Sequence, residues 1–182
     1  MALEATFRTL FVQIRKLGDT LNAVLLTVGD KPANRDAVLV DELEDTVLDM
    51  LGLIEDARTA ARTAEKAVEL PLDLDRARRA LARCQDNFLR VERQFSNDLV
   101  SYEKLKNLTS LGVDRGGEWK AWTGSMKDAI EQARQPIEET SRALAACWQE
   151  LVEHNGTTSI SLVNTGQKII GRGPLPEEAV RD

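Results

Sequence analysis

Apolar residues recur at steps of three and four through most of the chain, a spacing that places them on one face of an α-helix. The first run extends from Leu3 to Val28 and stops near Gly29. A second run extends from Val40 to Val68, ahead of Pro71, because proline disfavours helical geometry in the residue before it. The pattern therefore predicts two long amphipathic helices joined by a short loop over 30–34.

The third run has the most regular heptad spacing in the chain. Its apolar positions are Leu74, Ala77, Leu81, Cys84, Phe88, Val91 and Phe95. After Phe95 the pattern continues at Leu99, Tyr102 and Leu105 with a phase slip of one residue. Such a repeat is typical of a helix that packs along its whole length against neighbouring helices.

Glycine and polar residues predict a turn over 107–117, and a fourth helical region begins at Glu118. Pro136 interrupts this region and predicts a kink or a new helix start. Long helices joined by short connections pack antiparallel. We therefore predict an all-α protein, an antiparallel four-helix bundle over 1–155 with a kinked last helix.

The chain changes character over 156–182, where β-branched residues alternate with small polar ones and charges are few up to Gly171. This pattern predicts a short β-prone tail, with one strand on each side of a turn at 164–166. Candidate self-association residues are Ile160, Leu162, Val163, Asn164, Gly166, Gln167, Ile169 and Ile170. They could pair with the edge of a partner's sheet, form a hairpin on the bundle, stack between identical chains, or pack only locally.

The composition of the chain argues against several classes of function. The 182 residues carry a formal net charge of -6, so we expect no nucleic-acid partner. One histidine and two cysteines cannot build a multi-histidine metal site or a disulfide framework, and we expect Cys84 and Cys147 to be reduced core residues. The chain shows no secretory signal and no apolar run long enough to span a bilayer, which predicts a cytoplasmic protein.

Three candidate chemistries fail on the residues present. Gly112 and Gly117 have the spacing of a phosphate loop, but Glu118 and Trp119 replace its lysine and hydroxyl residue. His154 stands alone beside glutamates, and the carboxylate pairs are typical of solvated helix faces. We therefore predict no catalytic residue, no metal and no cofactor, and a protein that is not an enzyme.

Two groups of apolar residues are candidates for contact with a membrane surface or a partner. The first group lies on the first helix and the second opens the fourth helical region: Phe7, Leu10, Phe11, Ile14, Trp119 and Trp122. Large rings beside basic residues suit a membrane interface, although packing in the bundle core is the stronger interpretation for both groups.

Three segments resemble known sequences: Trp119-Lys-Ala-Trp122, the segment Arg142-Ala-Leu-Ala-Ala-Cys-Trp-Gln-Glu-Leu151, and Asn164-Thr-Gly-Gln-Lys-Ile-Ile170. The chain resembles the HeLo/Bell-type helical cell-death domains and is similar in plan to the four-helix bundle of the mixed-lineage kinase domain-like pseudokinase. The resemblance implies a non-enzymatic effector in immunity or cell death. In such a protein the tail is nucleated by a receptor, and the first helix then leaves the bundle to perturb a membrane.

The leading hypothesis is thus a signalling module triggered by clustering through its C-terminal segment, with protein partners or self-association and a membrane surface as its target. The alternative is a scaffold or adaptor domain of a larger signalling protein, whose bundle never opens. An enzyme without a visible motif is the third class.

Overall fold

A computed structural model describes residues 2–32, 37–100 and 117–164, with the backbone alone for 37–39 and 155–164. Over these ranges the chain forms helices and no strand. The helices are α1 (Ala2–Gly29), α2 (Ala37–Ala67), α3 (Leu74–Gln94), α4 (Glu118–Gln132) and α5 (Arg134–Asn164), and a π-helical segment (Phe95–Val100) continues α3. The predicted all-α bundle is confirmed, and α4 with α5 forms its kinked last arm.

α1 contacts three of the other helices, α2, α4 and α5, whereas α3 packs mainly against α2. Nine of its apolar side chains are buried, at the spacing that the sequence predicts. α1 and α2 run antiparallel, since Arg8 lies beside Glu65 and Gly18 lies beside Ile54. A Cβ at Gly18 would lie 3.3 Å from Cγ2 of Ile54, so glycine allows the two helices to approach closely at this crossing.

The phase slip in the third run coincides with the π-helical segment. The heptad residues of α3 from Ala77 to Val91 are buried, and so are Phe95 and Leu99 within the segment. A π-helix bonds each N–H to the carbonyl five residues back, which takes up one extra residue per turn. The extra residue keeps both side chains on the core face, whereas Tyr102 and Leu105 lie outside the described residues.

The kink between α4 and α5 follows from Pro136. α4 begins after Gly117, whose φ of 71° lies in the left-handed region that glycine adopts without strain. α4 ends at Gln132, and the following Ala133 caps it by donating its N–H to the Ile130 carbonyl at 3.0 Å. Pro136 has no N–H to continue the hydrogen-bond ladder, which restarts when Ile137 donates to the Ala133 carbonyl at 3.1 Å.

The predicted first strand of the tail is wrong for this structure, because α5 continues as helix to Asn164 and includes Ile160, Leu162 and Val163. Extending an existing helix avoids the unfavourable nucleation step of helix formation, whereas a strand needs a partner strand with which to pair. A short apolar run cannot distinguish the two outcomes by its periodicity. Gly166, Gln167, Ile169 and Ile170 lie outside the described residues, and the division of the chain at 155 stays a prediction.

Phe88 on α3 tests the packing of the bundle. Phe88 is 1% exposed, and replacing it by alanine should lower the free energy of unfolding by about 3–5 kcal/mol, because a large cavity remains. The neighbouring Leu89 is 41% exposed and provides the control, since Leu89→Ala should cost less than about 1 kcal/mol. Chemical denaturation of both variants measures the difference, and equal losses would contradict the assignment of this face to the core.

Candidate functional site

The structure buries the apolar residues of α1 that were candidates for membrane contact. Phe7, Leu10 and Ile14 are completely buried, and Phe11 is 8% exposed. These four side chains belong to the same core cluster as the apolar faces of the other helices. In the closed bundle none of them is offered to a membrane or a partner.

The tryptophan pair of α4 also lies in the core. The rings of Trp119 and Trp122 meet edge to face, with centroids 5.6 Å apart and planes at 79°. The indole Nε1 of Trp122 donates to the backbone carbonyl of Thr27 at 2.8 Å. This hydrogen bond attaches α4 to the C-terminal end of α1, which explains why the bulky ring is buried without an unpaired N–H.

The other end of α1 is attached to α5. The Cys147 thiol donates to the backbone carbonyl of Thr6 with an Sγ to O distance of 3.5 Å. The neighbouring Trp148 donates from Nε1 to Oε1 of Gln85 at 2.5 Å, which joins α5 to α3. Polar contacts therefore hold α1 in place at both of its ends.

Both cysteines are free and buried in the core. Burial raises the pKa of the Cys84 thiol to about 12. Burial also raises the pKa of the Cys147 thiol to about 12, with smaller contributions from Cys84 and Glu150. Because the thiolate is the nucleophile, neither cysteine of the folded protein is an activated nucleophile at neutral pH.

A cationic groove crosses the surface where α1, α2 and the start of α3 meet, and the sequence analysis did not identify it. Its volume is about 340 Å³. The lining residues are Phe11, Arg58, Thr59, Arg62, Thr63, Lys66 and Arg76. The three basic residues of α2 follow each other at four-residue steps, which is a visible signal in the sequence. They lie near Arg76 only because the chain turns between α2 and α3. The periodicity of the apolar residues does not predict the geometry of that turn.

A second groove, which is acidic, lies nearer the N-terminal end of α2 than the cationic groove does. Its volume is about 580 Å³. The lining residues are Leu48, Asp49, Gly52, Leu53, Glu55, Asp56, Arg90 and Gln94. Oε1 of Gln94, one of the lining residues, is buried and has no hydrogen-bond partner among the described residues. Two neighbouring grooves of opposite charge thus adjoin the same helix.

The described part of the chain offers neither a metal site nor a membrane span. Over 2–32, 37–100 and 117–164, no group of three or more histidine, cysteine or carboxylate side chains could hold a metal ion. Over the same ranges, no helix combines the length and apolar character that crossing a bilayer requires. In comparisons with known proteins, no family model and no curated protein matches the sequence. The resemblance to the HeLo/Bell-type domains therefore stays a prediction.

The buried thiols predict a pH dependence of stability. Below about pH 9 both states keep the thiol proton, so the cysteines add no pH dependence. As pH rises from 9 towards 12, the unfolded thiols ionise while those of the folded protein, with a pKa of about 12, do not. The free energy of unfolding should therefore fall across this window, as measured by urea denaturation at several pH values.

The control is the double variant Cys84→Ala/Cys147→Ala, which is less stable at every pH but lacks this contribution to the slope. Subtracting its profile from that of the wild type isolates the two thiols from the other groups that titrate above pH 9. Identical slopes would show that the thiols are solvated in the folded protein.

Proposed function

We propose that the protein is a non-enzymatic helical-bundle module that binds a partner protein at its surface, as a scaffold or adaptor domain does. The charge pattern along the outer side of α2 carries this proposal. Asp49, Glu55 and Asp56 make one groove acidic, and Arg62 and Lys66 help to make the adjoining groove basic. Opposite charges side by side on one helix give a partner both orientation and register.

An apolar side chain at the acidic end of this surface adds the contact that charges alone do not provide. Leu48 is 46% exposed at the edge of the acidic groove, and Leu53 is half-buried beside it. Between them, a Cβ at Gly52 would meet nothing within 4 Å, so the floor of the groove is open. An apolar contact with polar surroundings is the usual composition of a protein interface.

A photo-crosslinking residue in place of Leu48 tests this docking surface in cells. We expect a discrete crosslinked product from position 48, because the side chain lies at the proposed interface. The control is the same residue in place of Leu26, which is 73% exposed on α1 and outside both grooves. The absence of a product at position 48, or the same product from both positions, would contradict the proposal.

The second candidate function is a membrane-perturbing effector of cell death or immunity that is triggered by clustering through its C-terminal segment. The composition of α1 favours it. Opposite the buried Phe7, Leu10 and Ile14, α1 exposes Arg8 and Arg15. A released α1 would therefore be an amphipathic helix with a basic face, the composition that binds anionic membrane surfaces. The cell-death context itself rests on the resemblance alone.

The energetics of α1 favour the closed bundle. Burying one large aliphatic or aromatic side chain contributes about 1.5–3 kcal/mol. The burial of the nine side chains of α1, before any entropy cost is subtracted, therefore contributes at least as much as the net stability of a typical domain, about 5–15 kcal/mol. α1 could leave the bundle only if a membrane or a partner replaced most of this burial.

A reversible crosslink distinguishes the two candidates. In the variant Gly18→Cys/Ile54→Cys a disulfide would join α1 to α2, since a Cβ at position 18 lies 3.3 Å from the Ile54 side chain. The protein is clustered through an inducible oligomer fused to its C-terminus and added to dye-filled vesicles of phosphatidylethanolamine and phosphatidylglycerol. We expect no dye release in either redox state, because α1 stays docked.

Each single substitution, Gly18→Cys or Ile54→Cys, serves as the control for the effect of the substitutions themselves. Dye release that requires clustering and disappears when the disulfide forms would replace the scaffold proposal with the membrane-perturbing one. Dye release that the disulfide does not affect would exclude α1 as the active element.

A further inference from the structure

The cationic groove contains one guanidinium group, that of Arg62, that the fold holds in place. The Arg62 guanidinium carbon lies 3.9 Å from the centre of the Phe11 ring, and its Nη1 lies 3.2 Å from Oε2 of Glu65. Glu65 is itself 7% exposed and also contacts Arg8 at 3.5 Å. Because a buried carboxylate and an aromatic face fix Arg62, little conformational entropy remains to be lost on binding.

Two other cations of the groove are not neutralised by the protein. The side chains of Lys66 and Arg76 are exposed and have no carboxylate within 4.0 Å in the described ranges. Arg76 also lies in the first turn of α3, where the helix dipole disfavours a positive charge. Its position therefore does not stabilise α3 and is available to stabilise a bound anion.

Arg58, the remaining cation of the groove, forms an ion pair with a carboxylate that a ligand can replace. Arg58 contacts Glu55 at 2.8 Å, and both side chains are well exposed. Exposed pairs of this kind contribute about 0–1 kcal/mol, so exchanging Glu55 for a phosphate costs little. Arg58, Arg62 and Lys66 follow one another at steps of about 6 Å along α2, the rise of four helical residues.

We propose that the cationic groove is a binding site for a small soluble anion that carries two or more linked phosphate groups. Several cations spread along a groove of about 340 Å³ match a chain of phosphates better than a single monovalent anion. Arg62 covers the Phe11 ring, so the groove offers no free aromatic face on which a nucleobase could stack. The anion would share Arg62 and Lys66 with the proposed docking surface for a protein, but its binding is measured without that partner.

The acidic half of α2 selects against extended anionic surfaces. The exposed residues Asp45 and Asp49 lie on the same helix as the cationic groove, and Asp41 on this helix is paired with Lys31 at 3.8 Å. A long nucleic acid or an anionic membrane that reached the groove would also approach these carboxylates and be repelled. A compact ligand contacts the cations alone, which is why we favour it over a lipid headgroup.

Isothermal titration calorimetry with sodium tripolyphosphate at low salt tests the proposal on the full chain. We expect saturable binding at one site. The variant Lys66→Gln/Arg76→Gln should weaken binding at least tenfold, because both cations lie in the groove without a carboxylate partner. Both residues are exposed, and thermal unfolding should confirm that the variant remains folded. The control is Arg142→Gln/Lys127→Gln, which removes the same charge at exposed positions outside both grooves and should change the affinity less than twofold.

Three outcomes would overturn the proposal. The first is no binding of tripolyphosphate by the wild-type chain, and the second is an equal loss in the groove variant and the control. The third is binding to vesicles of phosphatidylcholine and phosphatidic acid without binding to tripolyphosphate, which would assign the groove to a lipid headgroup. Crosslinking from position 48 is a separate measurement, so failure of either proposal is recognised without the other.

Discussion

The packing of α1 is the constraint on which the rest of the structure depends. α2, α4 and α5 each bury part of their apolar face against α1, so the three contacts are lost together if it moves. Contacts to its backbone then fix its position along the axis. The Thr27 carbonyl accepts from Asp30 N–H and from Trp122, and it belongs to the last turn of α1, where carbonyls lack helical partners. Burial of apolar side chains thus determines which face of α1 turns towards the core. The polar contacts determine the position of α1 along its axis.

The apolar residues of α2 are buried in the core, so the main feature that varies along its exposed surface is the sign of the charge. Its acidic residues lie mostly in its N-terminal half and its basic residues in its C-terminal half, and Lys66 in the last turn interacts favourably with the helix dipole. The same arrangement places a positive region beside the N-terminal part of α3, because α2 and α3 are joined by a short turn. The basic residues of α2 therefore line one groove together with Arg76 of the next helix.

Periodicity could predict the core of this protein but not its grooves or its tail. Heptad positions such as Phe88 and Val91 are buried because a helical repeat determines which side chains share a face. The phase slip after Phe95 was visible in the sequence, although only the backbone shows that a π-helical segment absorbs it. The cationic groove depends on three helices meeting, and the helical state of Ile160 depends on the extension of α5 rather than on local propensity.

The cationic groove and the docking of α1 are linked through Phe11. This side chain lies in the core with its ring under Arg62, so the geometry of the groove requires α1 to be docked on α2. A ligand that binds only the docked state stabilises it by RT ln(1 + [L]/Kd), about 2.7 kcal/mol at one hundred times Kd. An anion in the groove therefore opposes any release of α1. Occupancy of the groove would then set the threshold at which clustering or a membrane could open the bundle.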